Sequence, residues 1–150
     1  MRVIAAPTEE NIAKMANKNQ LPTASGGQHL GSTPIYNPTV PFVYKNLKSV
    51  VPGKIFYISG IPFQIPKRNV IVRNTYTWLD NRWGQEERTL NGQFPFKEDK
   101  FFEILILIDS ASFKVAVNNQ PILEFMHRVP FCRIDSLHIT GDVRLCQVGP

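Results

Sequence analysis

Cysteine is scarce: Cys132 and Cys146 are the two in 150 residues, too few for a disulfide scaffold and without metal-ligand spacing, so reduced thiols are expected. Long apolar runs are missing as well. The longest strictly aliphatic stretch is Ile104 to Ile108, far short of the roughly 20 residues a membrane helix needs, and no membrane insertion is expected. At the start, Val3-Ile4-Ala5-Ala6 gives way to Pro7 and a glutamate pair, which falls short of a signal-peptide apolar region. No Asn-x-Ser/Thr glycosylation sequon occurs, the near match Asn37-Pro38-Thr39 being blocked by its proline. These absences point to synthesis outside the secretory route and a cytoplasmic location.

Signatures of catalysis are lacking too. There is no Gly-x-Ser-x-Gly elbow, no His-Glu-x-x-His and no Cys-x-x-Cys, and the histidines number three, His29, His127 and His138. No enzyme, metal or cofactor is expected. His127, beside Arg128, reads as structural. The Glu86-Glu87 pair does not serve as acid and base, because adjacent residues in a strand point to opposite faces. Gly26 to Gly31 has the glycine spacing of a phosphate loop, but Ser32 stands where the lysine belongs and no strand precedes it, so it reads as linker.

What is present is a core-forming composition, 43% hydrophobic, with Lys and Arg exceeding Asp and Glu by 17 to 12, a net charge of +5. One domain of ordinary size follows, and the charge permits an acidic partner. The basic residues form no strip, so nucleic acid is not the expected partner. Residues 1 to 34 differ from the rest. Thr8 to Lys18 can cap and carry one helix, after which Gly, Ser and Thr dominate, and the stretch reads as a flexible tail or linker ahead of a domain spanning 35–150.

From Ile35 onward, short β-branched and aromatic runs alternate with turn residues, the pattern of an all-β antiparallel sandwich. Strands are expected at residues 41–44, 54–59, 69–77, 87–90, 101–109, 112–117, 122–127, 134–140 and 143–148. Asn118-Asn119 suits a two-residue hairpin turn, since Asn tolerates positive φ. Gly141-Asp142 is read as closing another hairpin. The expected core is Phe101, Phe102, Ile104, Ile106, Ile108, Phe113, Val115, Val117, Leu123 and Phe125, with Ile104 to Ile108 covered on both sides.

The stretch that carries chemistry is Trp83-Gly84-Gln85-Glu86-Glu87-Arg88, preceded by Val72-Arg73-Asn74-Thr75. An indole offers a broad apolar face to the C–H groups of a pyranose, while Asn, Glu and Arg offer planar donors and acceptors to hydroxyl pairs. Glu86 and Arg88 share a face of an extended chain and can grip one hydroxyl between them. A surface Trp over an ordinary salt bridge is the plainer alternative.

With these residues the sequence resembles the galectin family, leaderless β-galactoside-binding lectins whose pattern includes Val-x-Asn followed by Trp-Gly-x-Glu-Glu-Arg. Tyr36-Asn37-Pro38, Pro41-Phe42, Pro52-Gly53-Lys54, Phe113-Lys114-Val115, Phe125-x-His127-Arg128, Ile134-Asp135-Ser136-Leu137 and Gly141-Asp142-Val143 extend the resemblance over residues 35 to 148. It implies that Asn74, Trp83, Glu86 and Arg88 contact sugar without catalysis, with Trp83 stacking on galactose, and that β-galactosides of glycoproteins or glycolipids are the partners. It also implies a leaderless route to the extracellular space. The family's His-x-Asn-Pro-Arg block is not here: Gly60 runs through Ile61 to Arg68 straight into Asn69. Two strands are therefore expected to be missing, with weakened affinity and self-association through unpaired edges as consequences, or a galectin-fold isoform that acts through protein contacts instead. Phe63 to Arg68 mimics the block only superficially, with Gln64 in place of His and the register off by one residue. The loop Tyr76 to Asn81, slightly longer than the family's, is expected to place Trp78 either near the site or merely at the surface.

Overall fold

The computed structural model describes residues 1–6, 33–45, 47, 50–65, 69–77 and 81–150. The proposed helix at Thr8 to Lys18, the glycine-rich Gly26 to Gly31 and Trp78 lie outside the described residues. Among the described residues the chain is all-β apart from one 3-10 turn at Phe131–Arg133. The strands are β1 (Arg2–Ala6), β2 (Ile35–Tyr36), β3 (Phe42–Tyr44), β4 (Ile55–Pro62), β5 (Tyr76–Thr77), β6 (Arg82–Trp83), β7 (Phe102–Ile108), β8 (Ser112–Val117), β9 (Gln120–Met126), β10 (Ser136–Thr140) and β11 (Val143–Gly149).

Two antiparallel sheets share the core. One has six strands in the order β2-β11-β4-β7-β8-β9, and the other has three in the order β1-β10-β3. Ile58, Ile104, Ile108, Val117, Leu145 and Val148 of the larger sheet form a single buried cluster with Leu137 and Ile139 of the smaller one. The β8–β9 hairpin turns where the asparagines predict it, with φ of 49° at Asn118 and 62° at Asn119. Their amide side chains make this left-handed geometry tolerable to a residue with a Cβ. Gly60, in the middle of β4, permits a close approach of β11: a Cβ there would lie 2.5 Å from the Arg144 carbonyl oxygen.

Several expectations are corrected. Gly141-Asp142 does not close a hairpin, because β10 pairs with β1 and β3 whereas β11 pairs with β2 and β4. Gly141, at φ 111°, turns the chain from one sheet to the other. Residues 2–6, read as part of a flexible leading segment, form β1, whose five residues pair with β10 from Arg2↔Thr140 to Ala6↔Ser136. The open edge of β10 supplies the backbone partners that this alternation-poor stretch lacked locally. Of the strand expected at 69–77 only Tyr76–Thr77 forms, and the one expected at 87–90 is reduced to an isolated bridge between Arg73 and Glu87. With no neighbouring ladder to satisfy both edges, propensity alone does not extend either segment.

In the core, Phe101 is 53% exposed and is removed from the expected set. Phe102, Ile104, Ile108, Val117 and Leu123 are buried, and Ile106, Phe113, Val115 and Phe125 are partly buried against them. β7 is not covered on both sides. Phe102, Ile104 and Ile108 are buried while Glu103, Leu105, Ile106 and Leu107 are half-buried, so the strand is fully covered on one face at these three positions and only partly on the other.

Candidate functional site

Between β4 and β7 the chain leaves the large sheet and builds the β5–β6 ribbon, with Tyr76 opposite Trp83 and Thr77 opposite Arg82. The ribbon continues past its last pair through a bond from the Gly84 amide to the Thr75 carbonyl at 2.8 Å. Arg73 and Glu87 then exchange two backbone bonds of 2.9 Å each. This zipper brings the 73–75 segment against the 83–87 segment, so the two halves of the sequence pattern meet in space.

Trp83 is 57% exposed, its indole carried at the surface of β6. Asn74 lies beside Gly84: a Cβ on Gly84 would be 3.4 Å from Asn74 Oδ1. That oxygen accepts from the Thr75 amide at 2.7 Å and lies 3.5 Å from an Arg128 nitrogen. With its carbonyl end engaged, the Asn74 carboxamide has its NH₂ as the remaining donor for a ligand. Glu86 Oε2 accepts from both Nε and Nη2 of Arg88, the former at 3.0 Å. Both bonds use one carboxylate oxygen, which leaves Glu86 Oε1 as an acceptor and Arg88 Nη1 as a donor for ligand hydroxyls. Both side chains are about half-exposed, 47% for Glu86 and 55% for Arg88, and so accessible to a ligand.

Glu87 turns the other way. Its Oε1 accepts from Arg128 Nη2 at 2.7 Å, and its Oε2 lies 3.8 Å from Nη2 of Arg73. Adjacent glutamates thus serve opposite sides of the segment, one exposed with Arg88 and one tied to the scaffold. The Arg73 side chain is 11% exposed, and its Nε is buried with no hydrogen-bond partner among the described residues. Arg128, Glu87 and Arg73 were not picked out as site residues by sequence reasoning. For Arg128 the signal was Phe125-x-His127-Arg128, noted only as part of a later hairpin. His127 is structural: its Nε2 donates to the Asp109 carbonyl at 2.8 Å, and its ring stands between Phe113 and Phe131 at centroid distances of 4.5 and 4.9 Å.

The remaining candidates stand apart. Phe63 to Ile65 lies in a loop, with Phe63 and Gln64 exposed and the Ile65 amide bonded to Glu98 at 3.0 Å, and Pro66 to Arg68 lies outside the described residues. Among the described residues no group of three or more His, Cys, Asp or Glu side chains is arranged to hold a metal ion, and no helix is long and apolar enough to cross a membrane.

The family model for galactoside-binding lectins matches residues 61–149. Over 143 residues the chain is 34% identical to galectin-8 of Rattus norvegicus, covering 77% of this chain and 44% of that protein. Over 88 residues it is 44% identical to galectin-3 of Mus musculus, covering 58% of this chain and 32% of that one. The chain thus spans less than half the length of these curated relatives. Among solved structures, sheep galectin-11 in complex with glycerol superposes with a TM-score of 0.63 at 23% identity, covering 73% of this chain and 95% of that one. The Caenorhabditis elegans galectin LEC-6 gives 0.67 at 16% identity, covering 77% and 93%. At these identities the structures establish a shared β-sandwich fold.

Proposed function

Since the chain belongs to the galactoside-binding lectin family, a family of non-catalytic lectins, we propose that it recognises β-galactosides through Asn74, Trp83, Glu86 and Arg88, with reduced affinity. The observation that carries this reading is the convergence of an exposed indole, a carboxamide with a donor to spare and a half-exposed Glu86–Arg88 couple on one short ribbon. Trp83 stacks on the apolar face of galactose, Asn74 donates to one hydroxyl, and the carboxylate and guanidinium hold a neighbouring hydroxyl pair.

The reduction in affinity follows from what these four residues leave undone. Each hydrogen bond to a sugar contributes about 0.5–1.5 kcal/mol net, so a grip on one ring without a further strand of donors gives weak binding. Among the described residues the smaller sheet has three strands against six, which supports the reading that the site is a partial one. Residues 35–150 together with β1 form the recognition domain, and glycans of glycoproteins or glycolipids are its partners, met in the cytoplasm or outside the cell.

Retention on immobilised lactose tests the proposal. Pure protein should be retarded and should elute with free lactose but not with a non-galactosidic disaccharide, and Trp83→Ala should pass straight through. Passage of the parent protein without retardation, in a folded state, would favour the alternative of a galectin-fold domain that acts through protein contacts.

A further inference from the structure

The segment that carries the sugar-facing groups has few backbone bonds of its own. Beyond the Gly84–Thr75 bond and the Arg73–Glu87 bridge, residues 84–88 belong to no strand. A side chain from a distant element holds this segment. Arg128 follows the end of β9, and its guanidinium donates from Nη1 to the Gln85 carbonyl at 2.6 Å and from Nη2 to Glu87 Oε1 at 2.7 Å. One planar group thereby fixes a backbone carbonyl and a side chain two residues apart.

The base of Arg128 is itself fixed. The His127 amide donates to the Ala111 carbonyl at 2.9 Å, the His127 ring is bonded to Asp109 and wedged between Phe113 and Phe131, and the Arg128 guanidinium lies over the Phe125 ring at 4.9 Å. The side chain is 28% exposed, so most of its rotamer freedom is already removed. Gly84 completes the fit, because a Cβ there would lie 3.3 Å from Arg128 Nη1.

We propose that Arg128 is a positioning residue for glycan recognition: a clamp, anchored in the core through Phe125 and His127, that aims the Trp83–Arg88 segment and sets its spacing to Asn74. The recognition role rests on the lectin reading above, whereas the clamp is a statement about geometry. Its fork is specific to arginine. A lysine ammonium carries the same charge but cannot present two coplanar donors to Gln85 and Glu87 at once.

The experiment compares the parent chain with Arg128→Lys, Arg128→Ala and Glu87→Gln by amide hydrogen exchange, thermal unfolding and lactose titration. With two charge-assisted or carbonyl bonds lost, the Gly84 and Glu87 amides should exchange roughly tenfold faster or more in both Arg128 variants, while amides of β7 and β8 keep their protection. Lactose affinity should fall in Arg128→Lys as well as in Arg128→Ala, and Glu87→Gln should accelerate Gly84 exchange in a chain that keeps every arginine. Should Arg128→Ala fail to fold, Arg128→Lys and Glu87→Gln carry the same test. Unchanged Gly84 exchange in these variants, or full rescue of exchange and affinity by lysine, overturns the clamp. A parent chain that fails to bind lactose counts against the lectin reading alone, since Gly84 exchange still decides the role of Arg128.

Discussion

At the scale of single residues, what the sequence discloses depends on the distance between partners. Glu86 and Arg88 are two positions apart, and their pairing follows from the period of an extended chain. The bond between Arg128 and Glu87 joins residues 41 positions apart, and no local pattern announces it. The same contrast separates Asp109 from its partner. The Lys114 ammonium bonded to Asp109, with the Ser110 amide also donating to it, holds this carboxyl below the ordinary carboxylate value, and Lys114 is raised in return. A carboxyl depressed in the folded state stabilises it above the ordinary value, about 3.9, and that contribution is lost as pH falls through the lowered one. Asp109→Asn should therefore flatten the acid limb of stability against pH, read as unfolding midpoints from neutral pH downward, and, because Asp109 is the main cause of the raised Lys114, flatten the alkaline limb with it. An acid limb identical to the parent's would show that the pair makes no difference to folding.

At the scale of elements, local signals were legible and partner choice was not. The Asn118-Asn119 turn needs only two positive φ values, which the residues themselves supply. Gly141 supplies one as well, yet a turn does not state whether the next strand rejoins the same sheet, and here it enters the other. β1 shows the converse, a strand with little local signature that exists because β10 offers it an edge. Val3 packs against the core, and Gly141 leaves room for Met1, whose Cα would be 2.8 Å from a Cβ at that position. Removing residues 1–6 should lower the unfolding midpoint and expose the β10 edge, raising the mass seen by light scattering, because unpaired edges recruit other chains. A truncated chain that stays monomeric with an unchanged midpoint would show that β1 does not guard this edge.

At the scale of the molecule, the sandwich was legible because buried apolar positions of β4, β7 and β10, such as Phe56 and Ile58, Phe102 and Ile104, and Leu137 and Ile139, recur with the period of strands. The content of the face was less so: Phe101 and Phe102 are equally apolar, and register alone decides that the first is exposed and the second buried. Ile58→Ala, at a site with no exposure, should cost about 2–5 kcal/mol, while Phe101→Ala should change stability by about 0.5 kcal/mol or less. Equal losses in denaturant titrations would contradict this placement of the core. The proposed function rests on the same frame, since the end of β9 carries Phe125 and, just beyond the strand, His127, which hold Arg128, and the β5–β6 ribbon leads into the segment with the indole and the polar couple. The most direct measurement is a lactose titration of isotope-labelled protein followed residue by residue by nuclear magnetic resonance. The account predicts shifts at Asn74, the Trp83 indole, Gly84, Glu86 and Arg88 that saturate in the millimolar range and vanish in Trp83→Ala. Saturation with the shifts centred elsewhere, or tight micromolar binding that survives loss of Trp83, would contradict it.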